Sequence, residues 1–367
     1  MTLYPKLITD ALQSVNYPGS GKSIVELGMV DDNIRIDGNH VAFTLLFTKN
    51  PDPFTKSIVK MAESAIRLKA GQEVEVEITP VFAQHKSAEP EKLLSHVKNI
   101  IAVSSGKGGV GKSTVAANLA VSLARLGYKV GLLDADIFGP SIPTMFHLEN
   151  YQPFAEVMDG KQLIIPALKY GVEIISIGFF IKPGSATVWR GPMASNALKQ
   201  LLGEVKWGEL DYFVIDTPPG TSDIHLTLMQ NLALTGAVIV STPQKVALAD
   251  ARKGIDMYQN DKINVPILGL VENMAWFTPA ELPKNKYYLF GKEGVKQLAE
   301  EQNMTLLGQI PIVQSICDSG DEGEPIASVP DSIVGNAFLQ LARNVAEETE
   351  KRNTQQPPTE SINMQQQ

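Results

Sequence analysis

The 367-residue chain predicts an α/β protein built on a mostly parallel sheet with flanking helices, preceded by a small α+β domain. Three observations lead there. From Val97 onward, short β-rich runs alternate with longer helical ones, as parallel strands joined by crossover helices require. Most of these strand-like runs end in polar residues: Asp134-Ala135-Asp136, Asp216, Ser241-Thr242-Pro243 and Glu272-Asn273 each follow an apolar stretch. Between the first run (residues 100–103) and a helical stretch (115–126, halted by Gly127) lies Gly106-Lys107-Gly108-Gly109-Val110-Gly111-Lys112-Ser113-Thr114.

In chain order, residues 1–80 read as a unit of their own. Residues 41–47 have strand composition. Residues 54–70 read as a helix with Phe54, Ile58, Met61, Ile66 and Leu68 as its apolar positions and Gly71 as its stop. Residues 74–78 alternate with a period of two, as a half-exposed strand does. A polar, proline-bearing stretch at 84–92 marks a linker, placed at 81–96. The larger domain follows at 97–348, with strands expected at 100–103, 129–133, 172–177, 211–215, 237–240 and 267–271. The Gln- and Pro-rich tail, 349–367, has too few apolar residues to pack and is expected to be disordered.

Composition narrows the function classes. With 44% hydrophobic and 20% charged residues the chain is ordinary for a globular protein. A net charge of −8 argues against nucleic acid or an anionic membrane as the main partner, because both reward basic patches. No signal peptide or bilayer-length apolar run is apparent, so a cytoplasmic protein is expected. A single cysteine, Cys317, excludes an intrachain disulfide framework.

The chemistry concentrates at the carboxyl ends of the strands, where ligands sit in open α/β sheets. The glycines at 106, 108, 109 and 111 let the backbone curl so that several N–H groups face one concavity, and the following helix adds the positive end of its dipole. Residues 106–114 are therefore expected to cradle a nucleotide, Lys112 to reach its outer phosphates, and the Ser113 hydroxyl to ligate Mg²⁺. Asp216, in Asp216-Thr217-Pro218-Pro219-Gly220, is placed to organise the same Mg²⁺, and Gly220 to bring a backbone amide toward the γ-phosphate. Of Asp134 and Asp136, Asp136 is the first candidate to position an attacking water and Asp134 the second; the other of the two caps the next segment. Asn273 reads either as an adenine-edge contact or as a turn asparagine. Trp189 and Trp207 read as core residues. His147 and His225 have no partner at metal spacing and receive no role.

Lys107, the second residue of the loop, places another cation beside Lys112. Lys107-Gly108-Gly109-Val110-Gly111-Lys112-Ser113-Thr114 resembles the deviant Walker A loop of the SIMIBI ATPases, a class in which that extra lysine reaches the partner subunit's nucleotide. Three further motifs accompany it: Asp134-Ala135-Asp136-Ile137-Phe138-Gly139-Pro140-Ser141, Trp189-Arg190-Gly191-Pro192-Met193, and Asp216-Thr217-Pro218-Pro219-Gly220-Thr221-Ser222-Asp223. With Val271-Glu272-Asn273-Met274 the set resembles the Mrp/ApbC family of iron–sulfur cluster carriers over residues 97–345. Residues 23–30 resemble the opening of a PaaD-like domain, with Asn50-Pro51-Asp52-Pro53 where that family often has a cysteine–proline pair. The resemblance implies a homodimeric ATPase that uses ATP and Mg²⁺, binds a [4Fe–4S] cluster and passes it to recipient apoproteins. The chain departs from the family at one place. Where a cysteine pair normally follows Val-Glu-Asn-Met, it has Ala275-Trp276-Phe277-Thr278-Pro279 and onward to Tyr288. Clusters need about four thiolate ligands, and a dimer here offers two, both Cys317, a residue type that more often packs than ligates. A metal-free, ATP-dependent regulatory scaffold is the alternative reading.

Overall fold

A computed structural model describes residues 3–18, 20–31, 33–47, 52–82, 93–158, 160–181, 191–279, 281–282, 285–330 and 332–362. The chain divides into two compact units between Glu91 and Lys92.

The first unit contains α1 (Pro5–Leu12), β1 (Arg35–Asp37), β2 (His40–Phe47), α2 (Thr55–Ala70) and β3 (Glu75–Phe82). Strand β2 is central, with β1 antiparallel on one side and β3 parallel on the other, in register from His40↔Glu75 to Phe47↔Phe82. Helix α2 buries Ile58, Ala62, Ile66 and Ala70, a ladder of i, i+4 steps down one face. This corrects the apolar face read from sequence, because Phe54, Met61 and Leu68 are exposed, Leu68 to 85%. A helix turns by about 100° per residue, which carries Met61 and Leu68 to the flank away from the ladder. Of Asn50-Pro51-Asp52-Pro53, the first two lie outside the described residues; Asp52 is buried and accepts the Tyr17 hydroxyl at 2.7 Å.

The second unit is the larger. In chain order it holds β4 (Val97–Ser104), α3 (Lys112–Arg125), β5 (Val130–Asp134), the short α4 (Ile142–Met145), β6 (Ala155–Met158), β7 (Lys161–Ile164), β8 (Ala167–Lys169), β9 (Val172–Ser176), α5 (Gly191–Gly203), β10 (Leu210–Asp216) and α6 (Asp223–Asn231). Then come β11 (Gly236–Ser241), α7 (Lys245–Gln259), β12 (Ile267–Glu272), α8 (Gly294–Glu301), β13 (Leu306–Gln309), α9 (Gln314–Asp321) and α10 (Ile333–Gln355). The main sheet runs β13-β12-β11-β4-β10-β5-β9-β8, with every pair parallel except the antiparallel β8–β9 edge. Covered on both faces, its inner strands read as continuous apolar runs, such as Ile100–Val103 in β4 and Phe213–Ile215 in β10. Trp207 is buried edge-on against Phe213, with ring centroids 4.7 Å apart. Trp189 and Arg190 lie outside the described residues.

Several elements were absent from the sequence reading, among them α1 and β1 of the first unit and four strands of the second. The β6–β7 hairpin is exposed along most of its length and carries no buried alternation to find. Strands β8 and β13 span three and four residues, too short for a periodic signal. The tail also differs from expectation. Helix α10 continues to Gln355, because Thr349 is buried and bonds back to the Val345 carbonyl, extending the face formed by Val334, Phe338, Leu341 and Val345. Beyond the helix, the Ile362 amide donates to the Met229 carbonyl at 2.9 Å. Residues 349–355 are therefore helical where a tail was expected; residues 363–367 lie outside the described set. No described helix is long and apolar enough to cross a membrane.

Candidate nucleotide site

Strand register assembles the site. Asp216 pairs with Val103 on one side and with Asp134 on the other, and Asp134 pairs with Ser176. The sequence-picked carboxylates therefore share one end of the sheet with the loop that leaves β4. The loop's glycines answer two different demands. A Cβ on Gly106 would lie 2.1 Å from the Asp250 carbonyl of α7, so only glycine fits there; Gly111 has φ +79, which side chains rarely adopt. Helix α3 starts at Lys112, three residues earlier than expected. This leaves the amides of Lys112, Ser113 and Thr114 in its first turn, where a helix has no intrahelical carbonyl for them.

Lys112 is the hub. Its side chain is 6% exposed, and its Nζ donates to Asp216 Oδ1 at 2.5 Å and to Ser113 Oγ at 3.1 Å. Asp136 Oδ2 lies 3.8 Å from the same ammonium. Asp216 is fully buried, and its second oxygen, Oδ2, has no hydrogen-bond partner among the described residues. Burial pushes the Asp216 carboxyl up, against the pull of Lys112, and also raises Asp136.

Asp134 has both oxygens engaged by neighbouring protein groups. It is fully buried; Oδ1 accepts the Asp136 amide at 3.1 Å, and Oδ2 accepts the Ile142 amide at 3.2 Å and the Ser176 hydroxyl at 2.9 Å. Burial, with Asp216 nearby, lifts its pKa to about 8. These bonds brace the segment between β5 and α4, while Asp136, the first candidate, is the one that lies 3.8 Å from the Lys112 ammonium.

Asn273 is engaged with the loop itself. It is buried, and its Nδ2 donates to the Val110 carbonyl at 2.8 Å, so the amide braces the loop from beneath. A Cβ on Gly111 would stand 2.2 Å from that nitrogen. The Gly220 amide is docked on the Ser105 carbonyl at 2.8 Å, tying the segment after β10 to the root of the loop. Lys107 is half-buried, and its carbonyl accepts the Ser105 hydroxyl at 2.9 Å. Gly108 and Gly109 stand exposed at the loop's crest.

These donors fit a hard divalent cation beside phosphate. Ser113 Oγ and the unpartnered, buried Asp216 Oδ2 are oxygen ligands of the kind Mg²⁺ takes. They do not extend to an iron–sulfur cluster. Among the described residues no group of three or more His, Cys, Asp or Glu side chains could hold a metal. Cys317 lies exposed on α9, and the neighbouring Asp321 and Asp318 carboxylates hold its thiol above the usual range, which disfavours the thiolate. Cys317 stands as an exposed thiol with no ligand set of thiols, imidazoles or carboxylates gathered around it among the described residues. In place of a cysteine pair, Phe277 and Tyr287 exchange backbone hydrogen bonds at 2.8 Å, and Lys286 Nζ sits 3.6 Å over the Trp276 ring.

Sequence reading missed a second layer. Ser104, Thr217, His225 and Tyr258 are buried and mutually hydrogen-bonded behind the loop. The available signal was Ser222-Asp223-Ile224-His225 at the start of a helix, a spacing at which the fourth residue reaches back to the first; looking for metal spacing passed over it.

A family model described as a NUBPL iron-transfer P-loop NTPase matches residues 96–346, and one described as an iron-sulfur cluster assembly protein matches residues 6–78. An iron-sulfur cluster carrier protein of Synechocystis sp. is 44% identical over 346 residues, covering 93% of this chain and 97% of the relative. One from Aquifex aeolicus is 52% identical over 265 residues, 71% of each chain. Among solved structures, a nucleotide-binding protein of Archaeoglobus fulgidus in complex with ADP is 41% identical with a TM-score of 0.56, covering 65% of this chain and 91% of that one.

Proposed function

The chain belongs to the NUBPL iron-transfer P-loop NTPase family, and we propose that within it the protein is an ATP-binding and ATP-hydrolysing homodimer serving iron–sulfur cluster assembly and delivery to apoproteins in the cytoplasm. One observation carries the ATPase reading. Lys112, at the first turn of a helix behind a glycine loop, shares a buried pocket with Asp216, whose Oδ2 has no partner.

The residues divide the work. Loop amides and the α3 N-terminus bind the phosphates, and Lys112 counters their charge. Ser113 and Asp216 hold Mg²⁺, which when bound neutralises phosphate charge during transfer. Asp136 orients water. Burial raises its proton affinity, which suits a group that accepts a proton transiently, and phosphoryl transfer depends chiefly on positioning and electrostatics. Asn273 and Gly106 keep the loop in shape. Lys107 reaches the partner's nucleotide, so that two subunits complete each site, and closure around ATP changes the interface between them.

The cluster is cargo on this reading, and the single Cys317 does not supply a resident ligand set. That shortage favours a second reading, in which the dimer is a metal-free scaffold that recruits assembly partners in response to ATP. Two experiments decide. Lys112→Ala should lose ATP retention while staying folded by circular dichroism; normal ATP affinity in that variant would refute the site. Anaerobic reconstitution with iron and sulfide should give no near-stoichiometric four-iron chromophore if the scaffold reading holds. A chromophore lost in Cys317→Ala would instead restore carriage by this chain.

A further inference from the structure

Behind the phosphate loop lies a chain of buried hydroxyls and one imidazole. Tyr258 OH is 2.5 Å from Ser104 Oγ, Ser104 Oγ is 2.8 Å from Thr217 Oγ1, and His225 Nε2 is 3.2 Å from the same Thr217 oxygen. Thr217 Oγ1 also lies 3.0 Å from the Val103 carbonyl, and the Ser222 amide donates to His225 Nδ1 at 3.2 Å. All four side chains are essentially sealed from solvent.

Proton counting fixes the directions. The Ser222 N–H and the Ser222 hydroxyl both lie 3.2 Å from Nδ1; because the N–H can only donate, we assign Nδ1 as the acceptor and place the proton of the neutral ring on Nε2. Nε2–H then donates to Thr217 Oγ1. The Thr217 hydroxyl passes its own proton to the Val103 carbonyl and uses its two lone pairs for His225 and Ser104. Ser104 in turn accepts from Tyr258. Every donor in the network has an acceptor within reach, the Thr217 hydroxyl having the Pro218 carbonyl at 3.2 Å as well as that of Val103, and a satisfied buried polar network is a rigid one. Burial holds the His225 pKa down at about 4, so the ring is neutral at neutral pH.

The network's position gives it a role. Ser104 is the last residue of β4, immediately before the loop, and Thr217 directly follows Asp216. Tyr258 lies on α7 in one stripe with Asp250 and Gly254, four residues apart each, and both of those approach Gly106. One helix thus touches the loop's root at Gly106 and, a turn further on, the hydroxyl that ties Ser104 to Thr217.

We propose that His225 and Tyr258 are positioning residues for the nucleotide site: through Thr217 and Ser104 they hold the Asp216–Gly220 segment in register with the phosphate loop. They touch neither nucleotide nor metal, and the inference rests on the ATPase reading above. Loosening the clamp lets Asp216 wander while the loop and Lys112 keep their grip on phosphate. Turnover therefore falls and apparent ATP affinity does not.

The test uses the full chain and three variants. Tyr258→Phe keeps the ring packing and removes one donor, His225→Gln keeps a donor near Nε2, and His225→Ala removes it. In ¹⁵N-histidine NMR the wild-type ring should show the Nε2–H tautomer. Tyr258→Phe should speed hydrogen exchange of the Thr217 and Gly220 amides by about tenfold or more. It should also lower kcat about tenfold with KM for ATP within about threefold, as should His225→Ala, whereas His225→Gln should stay within about threefold of wild type in both. An Nδ1–H tautomer, unchanged exchange in Tyr258→Phe, or kcat and KM shifting together would overturn the proposal. Should the chain show no ATP hydrolysis, the ATPase reading falls, and the tautomer and exchange results still decide whether the clamp exists.

Discussion

Gly111 holds φ +79 with the Asn273 amide nitrogen directly beneath it, 2.2 Å from where a Cβ would be. A left-handed conformation costs a side-chain-bearing residue about 1–2 kcal/mol, and the added methyl would also push Asn273 off the Val110 carbonyl. Gly111→Ala should therefore weaken ATP binding by about tenfold or more, a cost of about 1.4 kcal/mol per factor of ten, measured by calorimetric titration. Asn273→Ala, which removes the brace on Val110 but keeps the glycine, should weaken it less; equal losses would mean that the lost Asn273–Val110 bond and not the dihedral dominates. At this scale, sequence spacing located Lys112, Ser113 and Asp216 because loop, helix start and strand end are local features. It did not foresee the partners of Asn273 and Asp134, because Val110 and Ser176 are far away in sequence and are brought close only by the fold. The clamp around Thr217 was hidden for the same reason: it joins Ser104, His225 and Tyr258 from three different elements.

Strands and helices buried on one clear side were legible, and elements without a buried periodicity were not. The inner strands of the larger unit announced themselves as apolar runs ending in polar residues, whereas the exposed β6–β7 hairpin gave nothing to read. Helix α2 was found, but its face was assigned partly to residues that look hydrophobic and are exposed. The contrast is measurable. Ile66 is fully buried and Leu68 is 85% exposed. Ile66→Ala should cost about 2–5 kcal/mol through the cavity it leaves, and Leu68→Ala should stay within about 0.5 kcal/mol of wild type. Urea unfolding followed by hydrogen exchange in residues 55–70 separates the two; comparable losses would restore Leu68 to the core. The segment from Ala275 to Tyr288 is a different kind of element. It closes through Phe277–Tyr287 and packs a lysine over Trp276, so its place in the fold is kept without thiolate ligands.

For the whole molecule the question is whether one chain contains a complete site. The Lys112, Ser113 and Asp216 cluster belongs to a single chain, and Lys107 is a half-buried residue of the same loop. In the proposed dimer each nucleotide uses Lys112 from its own chain and Lys107 from the partner. This division has a signature that no single-chain mechanism shares. Lys107→Ala and Lys112→Ala are each expected to be inactive alone. Mixed and allowed to exchange subunits, they form heterodimers in which one site keeps its own Lys112 and meets an intact Lys107 from across the interface. ATP hydrolysis by the equimolar mixture is the most direct measurement: recovery to about a quarter of the wild-type rate is expected from random pairing of subunits, and no recovery above either variant alone, once exchange is verified, would contradict a shared site.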